Sequence, residues 1–244
     1  MSTFANLRKE LKAKANPKKA KILQRFFKTE KGEYGEGDVF LGLSVPETRR
    51  IAQKYKDLKF KEIEELLKSK THEERLLTLL ILVNQFQGVM LKHNTSVRHK
   101  IFNFYLKNTK YINNWDLVDG SAPKIVGEYL LGFASINGSK QILYKLAKSK
   151  NIWERRIAII ATFAFIKNNQ FAETLKISEM LLNDKHDLIH KAVGWMLREV
   201  GKQSQPTLEK FLKKHTSKMP RVMLRYAIER LTSGKRRGYL LQNY

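Results

Sequence analysis

Apolar positions recur at three- and four-residue intervals along almost the whole chain, with polar residues filling the positions between. Phe4, Leu7 and Leu11 share one helical face. Ile22, Leu23, Phe26 and Phe27 make the next, after Asn16-Pro17, which reads as an N-cap followed by proline at the first helical position. The same spacing predicts helices over 46–55, 59–68 and 71–86, the last opening on Thr71-His72-Glu73-Glu74, a run resembling a capping box. Further helices are expected at 95–107, 115–131, 138–149, 152–167, 171–182, 187–201, 205–214 and 220–231. No segment sustains a period of two, so no sheet is expected.

These segments repeat one another. Trp115, Trp153 and Trp195 fall 38 and 42 residues apart, each at or near the start of an amphipathic segment. A recurrence near 40 residues is the period of HEAT-type helix pairs. The second helix of successive repeats looks self-similar, with a polar or cationic turn ahead of an apolar stripe. Glu154-Arg155-Arg156-Ile157 precedes Ile159 and Ile160, His190-Lys191-Ala192-Val193 precedes Trp195 and Leu197, and Arg221-Val222-Met223-Leu224 precedes Tyr226 and Ile228. The expected fold class is all-α, a right-handed α-α superhelix (solenoid) of HEAT-like helix-pair repeats, running as a single domain over 1–244.

Charge then narrows the partner. The chain carries 47 Lys+Arg against 23 Asp+Glu, a formal net charge of +24, far beyond what solubility requires. Such an excess predicts strong, salt-sensitive attraction to phosphate. Residues 1–28 hold nine Lys+Arg against one Glu, and residues 201–244 hold eleven against two, so both ends are expected to reach nucleic acid. No run approaches the ~18 apolar residues of a membrane span, and the N-terminus lacks the apolar stretch of a secretion signal. A cytoplasmic, nucleoid-associated location is the corresponding expectation. Zero cysteines remove disulfides, thiolate nucleophiles and thiolate metal sites. Cations at helix starts oppose the helix dipole, and bound phosphate is one reason for them to be there. Arg155, Arg156 and Lys191, together with Arg198 near Trp195, are the candidate DNA-binding cations.

Two motifs read as structural. The loop 29–45 has four glycines but neither the GK[ST] ending of a P-loop nor the strand that precedes a dinucleotide fingerprint. His186 and His190 share a helical face as in a zinc helix, yet a third ligand and a Glu base are missing. A capping Asp187 beside solvent-exposed histidines is the better reading, and neither metal nor cofactor is expected.

The run Asn114-Trp115-Asp116-Leu117-Val118-Asp119 carries the sharper chemistry. On a helix Trp115 and Asp119 lie at i and i+4, on one face. The plain reading is a capping Asp116, a core Trp115 and a solvated Asp119. Against it, Leu117, Val118, Ile125 and Val126 already supply an apolar face, and a carboxylate facing phosphate is costly unless chemistry uses it.

The runs NNWDLVDGSAP, SKNIWERRIAII and KAVGWMLREVGK resemble the AlkD-type DNA alkylation repair glycosylases, and EKGEYGEGDVFLGLSVPETRR resembles that family's N-terminal block. The likeness covers nearly the whole chain. It implies a catalytic carboxylate at Asp119, DNA-contacting indoles at Trp115 and Trp195, and a phosphate-contacting arginine at Arg156, for which Arg155 substitutes under a one-residue shift. It further implies hydrolysis of the N-glycosidic bond of cationic N3- or N7-alkylated purines in double-stranded DNA. The base would stay unflipped and the strand uncut, with no protein partner and the chain acting as a monomer. The competing reading is a non-catalytic HEAT-like protein recognising bent or branched DNA, which shares the charge and the repeats but has no use for Asp119.

Overall fold

The structure, a computed structural model, describes residues 3–90, 94–132 and 140–242. They fall into two compact units, Met1–Ser121 and Ala122–Tyr244. The all-α expectation holds: strand-like pairing among the described residues is confined to an isolated parallel bridge between Val39 and Thr71.

The first unit opens with α1 (Thr3–Ala13), whose Leu7 and Leu11 are fully buried. Helix α2 (Pro17–Phe26) starts as its sequence predicts, with Pro17 in the first turn and the Asn16 side chain accepting from the Lys19 N–H at 3.0 Å. Its expected apolar face is not continuous. Ala20 and Phe27 are buried, whereas Ile22 and Phe26 are 66% and 61% exposed. These two sit at i and i+4, a ridge turned away from the core.

The glycine-rich loop that follows is a structural strap. Gly42 sits at φ +89°, and a Cβ there would meet the Asn16 carbonyl oxygen at 2.2 Å, so only glycine passes this point. The buried Glu73 carboxylate accepts from the N–H groups of Leu41 (2.9 Å), Gly42 (2.8 Å) and Leu43 (3.2 Å). The expected capping box at Thr71 is thereby corrected. Glu73 ties down the loop, and Glu74 accepts from Arg8 instead of closing its own helix start. A capping box does occur two helices earlier, where Ser44 and Glu47 cap α3 (Val45–Lys54) reciprocally. Helices α3, α4 (Phe60–Leu67) and α6 (Thr95–Lys107) all pack on α5 (His72–Met90), whose Leu77, Ile81 and Phe86 are fully buried.

Helix α7 (Trp115–Ala122) runs into a π turn at Pro123–Gly127 and then α8 (Glu128–Gly132), so the helix expected over 115–131 is interrupted. Pro123 lacks the N–H that would continue the α ladder, and the wider turn accommodates it. The helix expected over 138–149 is α9 (Gln141–Ala147); positions 138 and 139 lie outside the described residues. The segment 152–167 divides at Thr162 into α10 (Ile152–Ala161) and α11 (Phe163–Lys167), the Thr162 hydroxyl bonding the Ile159 carbonyl at 2.7 Å. Then come α12 (Ala172–Met180), α13 (Asp187–Gln203), α14 (Gln205–His215), α15 (Arg221–Ala227) and α16 (Ser233–Leu241). The periodicity over 220–231 does not anticipate α16, because Ser-Gly-Lys-Arg-Arg-Gly carries little apolar signal.

Within the second unit, helix pairs stack on one another. Helix α10 packs on α9 and on α13, and α13 packs on α12, α14 and α15. The second helices of successive pairs are therefore neighbours. At Gly194 of α13 a Cβ would lie 2.5 Å from the Met223 carbonyl oxygen and 2.5 Å from the Tyr226 Cβ, so α13 and α15 touch backbone to backbone there. No described helix is long and apolar enough to cross a membrane.

Candidate active site

Helix α7 is held at both ends. At its start the Asn114 side chain accepts from the Trp115 N–H at 2.8 Å, and Asp116 Oδ1 accepts from the Leu117 N–H at 2.8 Å. Farther along, Leu117 and Val118 are fully buried, and the Ser121 hydroxyl bonds both the Leu117 carbonyl and the Tyr105 hydroxyl of α6, the latter at 2.9 Å. Tyr105 is fully buried, and that burial, with the nearby Asp119 charge, holds its phenol well above the usual range. With its inward face so fixed, α7 presents Trp115 and Asp119, both half-buried, on a common side.

Trp115 is half-buried and packs against the core cluster of Ala20, Phe27 and Phe40. Its ring stacks on Phe27 at 5.1 Å and 10°, and meets the exposed Phe26 edge-on at 5.9 Å. Phe27 in turn stacks on Phe40 at 5.0 Å. Behind this aromatic stack lies His72, 4.5 Å from the Phe40 ring and 5.0 Å from the Phe27 ring. His72 Nδ1 faces Asp38 Oδ2 at 3.0 Å, and Nε2 faces Asp116 Oδ2 at 2.8 Å. Arg75 also reaches Asp38 Oδ2, at 2.6 Å. Burial alone would lower the proton affinity of His72, but the two carboxylates outweigh it and raise the pKa to about 8. The two acids of the WDLVD run thus differ. Asp116 bonds His72 in a buried ionic cluster, while Asp119 shares the half-buried face of Trp115.

Sequence reasoning missed this cluster because its members are far apart in the chain. Asp38 and Phe40 come from the strap, His72 and Arg75 from the first turn of α5, and Asp116 from α7. The one available signal was the apolar run Val39-Phe40-Leu41 directly after Asp38 in a glycine-rich loop.

In the second unit Trp195 is half-buried on α13. Its Nε1 donates to Glu199 Oε1 at 3.2 Å, and its ring lies 6.2 Å from that of Phe163. Trp153, by contrast, is buried. The candidate cations all have protein partners. Arg155 donates to Asp184 Oδ2 at 2.6 Å and to the carbonyls of Ser149 and Lys150 at 3.0 Å each. Arg156 is buried and donates to the Leu188 carbonyl at 2.6 Å. Lys191 pairs with Asp187 at 2.8 Å, and Arg198 with Glu229 and Glu199. Internal ion pairs therefore give Arg155, Lys191 and Arg198 a reason to be there apart from phosphate.

The His186–His190 pair is also engaged locally. His186 Nδ1 caps α13 by accepting from the Leu188 N–H at 3.2 Å, and His190 Nε2 lies 2.5 Å from the Asp184 carbonyl. The cap is therefore His186 rather than Asp187, and both histidines are only half-exposed. Among the described residues no group of three or more His, Cys, Asp or Glu is placed to hold a metal ion.

Comparison with known proteins gives the family. The sequence profile described as DNA alkylation repair enzyme matches residues 7–231. No curated protein matches the chain. Among solved structures, a predicted DNA alkylation repair enzyme from Enterococcus faecalis is similar with a TM-score of 0.67 at 17% identity, covering 90% of this chain and 97% of that one. The protein smu.31 from Streptococcus mutans gives a TM-score of 0.50 at 19% identity over 82% and 90% of the two chains. AlkD2 from Streptococcus mutans gives 0.49 at 17% identity over 92% and 95%. At these identities the structural likeness speaks for the fold alone, but the profile spans almost the entire chain: the protein belongs to the DNA alkylation repair enzyme family.

Proposed function

We propose that the protein is a monofunctional alkylpurine DNA glycosylase, with Asp119 as its catalytic carboxylate. The observation that carries this reading is the half-buried face of α7 that Trp115 and Asp119 share. Asp116 is committed to His72 and to its own helix start, whereas Asp119 shares the half-buried face of Trp115.

The chemistry needs one carboxylate. An N3- or N7-alkylated purine is already cationic and leaves as a neutral base, so no general acid is required. As the glycosidic bond lengthens, positive charge moves onto the deoxyribose. Asp119 stabilises that oxocarbenium-like sugar and orients the attacking water, the part a carboxylate plays in glycoside hydrolysis. Indole faces at Trp115 and Trp195 favour the cationic lesion, by roughly 0.5–2 kcal/mol each. Arg156 holds a flanking phosphate, with Arg155 as the alternative; both already donate within the protein, Arg156 to the Leu188 carbonyl and Arg155 to Asp184, Ser149 and Lys150. Lys191 and Arg198 add charge along the DNA path.

Attack at the sugar lets the base remain in the duplex, unlike the base flipping most such enzymes use. The exposed Ile22–Phe26 ridge, with Lys18, Lys21 and Arg25 on the same helix, supplies apolar and cationic contact beside Trp115. The substrate is chromosomal double-stranded DNA, and a single chain suffices. The test is product analysis on methylated duplex. Free 7-methylguanine with an intact abasic strand is expected; unaltered DNA retained on the protein would leave a non-catalytic DNA-binding repeat protein.

A further inference from the structure

Both ring nitrogens of His72 face carboxylate oxygens, Nδ1 toward Asp38 at 3.0 Å and Nε2 toward Asp116 at 2.8 Å. An ionised carboxylate only accepts hydrogen bonds, and a neutral imidazole donates from one nitrogen only. Both contacts are hydrogen bonds only when the ring carries two protons. Charge agrees with this. The cluster of His72, Arg75, Asp38 and Asp116 is buried or nearly so, and it is neutral overall only with His72 as a cation. The other acids at this helix start do not complete the balance, since Glu73 is bound to the strap N–H groups and Glu74 to Arg8. The remaining neighbours of the ring, Phe27 and Phe40, are uncharged and present their π-faces to the cation.

Two paths lead from this ring to the proposed site. One is covalent: Asp116 follows Trp115 and lies one turn before Asp119. The other is the aromatic stack from His72 through Phe27 to Trp115. We propose that His72 is a positioning residue, an imidazolium clamped between Asp38 and Asp116 that sets the first turn of α7 and the pose of Trp115 and Asp119.

Loss of its proton would turn one of the two hydrogen bonds into a lone pair facing a carboxylate and leave the cluster with a net negative charge. With the pKa raised to about 8, this happens in the mildly alkaline range. The stabilisation is fully present below the ordinary value of 6.5 and is lost as pH rises through about 8. A glycosylase with one carboxylate as its only titrating group has an acid limb and no alkaline one; His72 adds the second.

The catalytic part of this inference rests on the glycosylase reading, and the coupling of His72 to Trp115 does not. Both are followed on the full chain by titrating the His72 imidazole and Trp115 indole NMR signals from pH 6 to 9.5, alongside single-turnover release of 7-methylguanine. His72 is expected to titrate near 8, the Trp115 indole signal to move with the same midpoint, and release to fall about tenfold per pH unit above it with little change in duplex affinity. Asp116→Asn lowers both midpoint and alkaline limb by at least one pH unit, a shift that a purely structural role would not produce. A His72 midpoint at or below 6.5, or a Trp115 signal indifferent to the His72 titration, overturns the proposal. If His72 and Trp115 titrate together while no base is released at any pH, the coupling stands and the glycosylase reading fails.

Discussion

Asp116 and Asp119 are three residues apart on one helix, yet they stand in different surroundings. Asp116 is bonded to His72 and to the Leu117 N–H, while Asp119 stands with Trp115 on the half-buried face. The spacing alone placed Trp115 and Asp119 together, because i and i+4 share a face on any helix. It could not assign Asp116, whose partner lies 44 residues away. At the same scale, Trp115 and Trp195 are half-buried, each with a polar or aromatic contact on one side, whereas Trp153 is core. Periodicity treats the three indoles alike; only packing distinguishes them. If Trp195 faces the lesion, Trp195→Ala should slow base release by about tenfold, within reach of one cation–π contact. Its affinity for undamaged duplex, measured by fluorescence anisotropy, should change much less. Equal losses in both would make Trp195 structural.

At the scale of elements, helix existence was legible and helix continuity was not. Asn16-Pro17 and the run 95–107 behave as their sequences predict, because caps and apolar stripes are local signals. The breaks at Pro123 and Thr162 answer to neighbours as much as to sequence, as does the strap, whose N–H groups are satisfied by Glu73 from a different helix. The α13–α15 contact is equally non-local. Gly194→Ala forces a Cβ to within 2.5 Å of the Met223 carbonyl oxygen, and should lower the unfolding free energy by about 1–3 kcal/mol. Gly120 on α7, where a Cβ would meet open space among the described residues, is the matching control; its alanine variant should be neutral or stabilising by up to about 1 kcal/mol. Chemical denaturation of the two variants compares them directly. A loss at Gly120 as large as that at Gly194 would remove the close-approach argument.

At the scale of the whole molecule, the charge of +24 is the largest single fact, and it was legible without any structure. What the structure adds is how much of that charge is already engaged, since Arg155, Lys191 and Arg198 all have carboxylate partners. Net excess nevertheless remains, and binding to undamaged duplex should weaken by about 10³-fold between 50 and 200 mM salt if six or more phosphates are neutralised. A flat salt response would mean that the basic surface does not track DNA. Such binding is common to a glycosylase and to a passive DNA-binding protein, so it does not decide the chemistry. Single-turnover release of 7-methylguanine from methylated duplex by Asp119→Asn, under conditions where the variant is fully DNA-bound, decides it. The rate should fall by at least about 10²-fold, the scale of losing one electrostatic contact in a transition state. A rate equal to that of the unaltered protein would contradict the assignment of catalysis to Asp119.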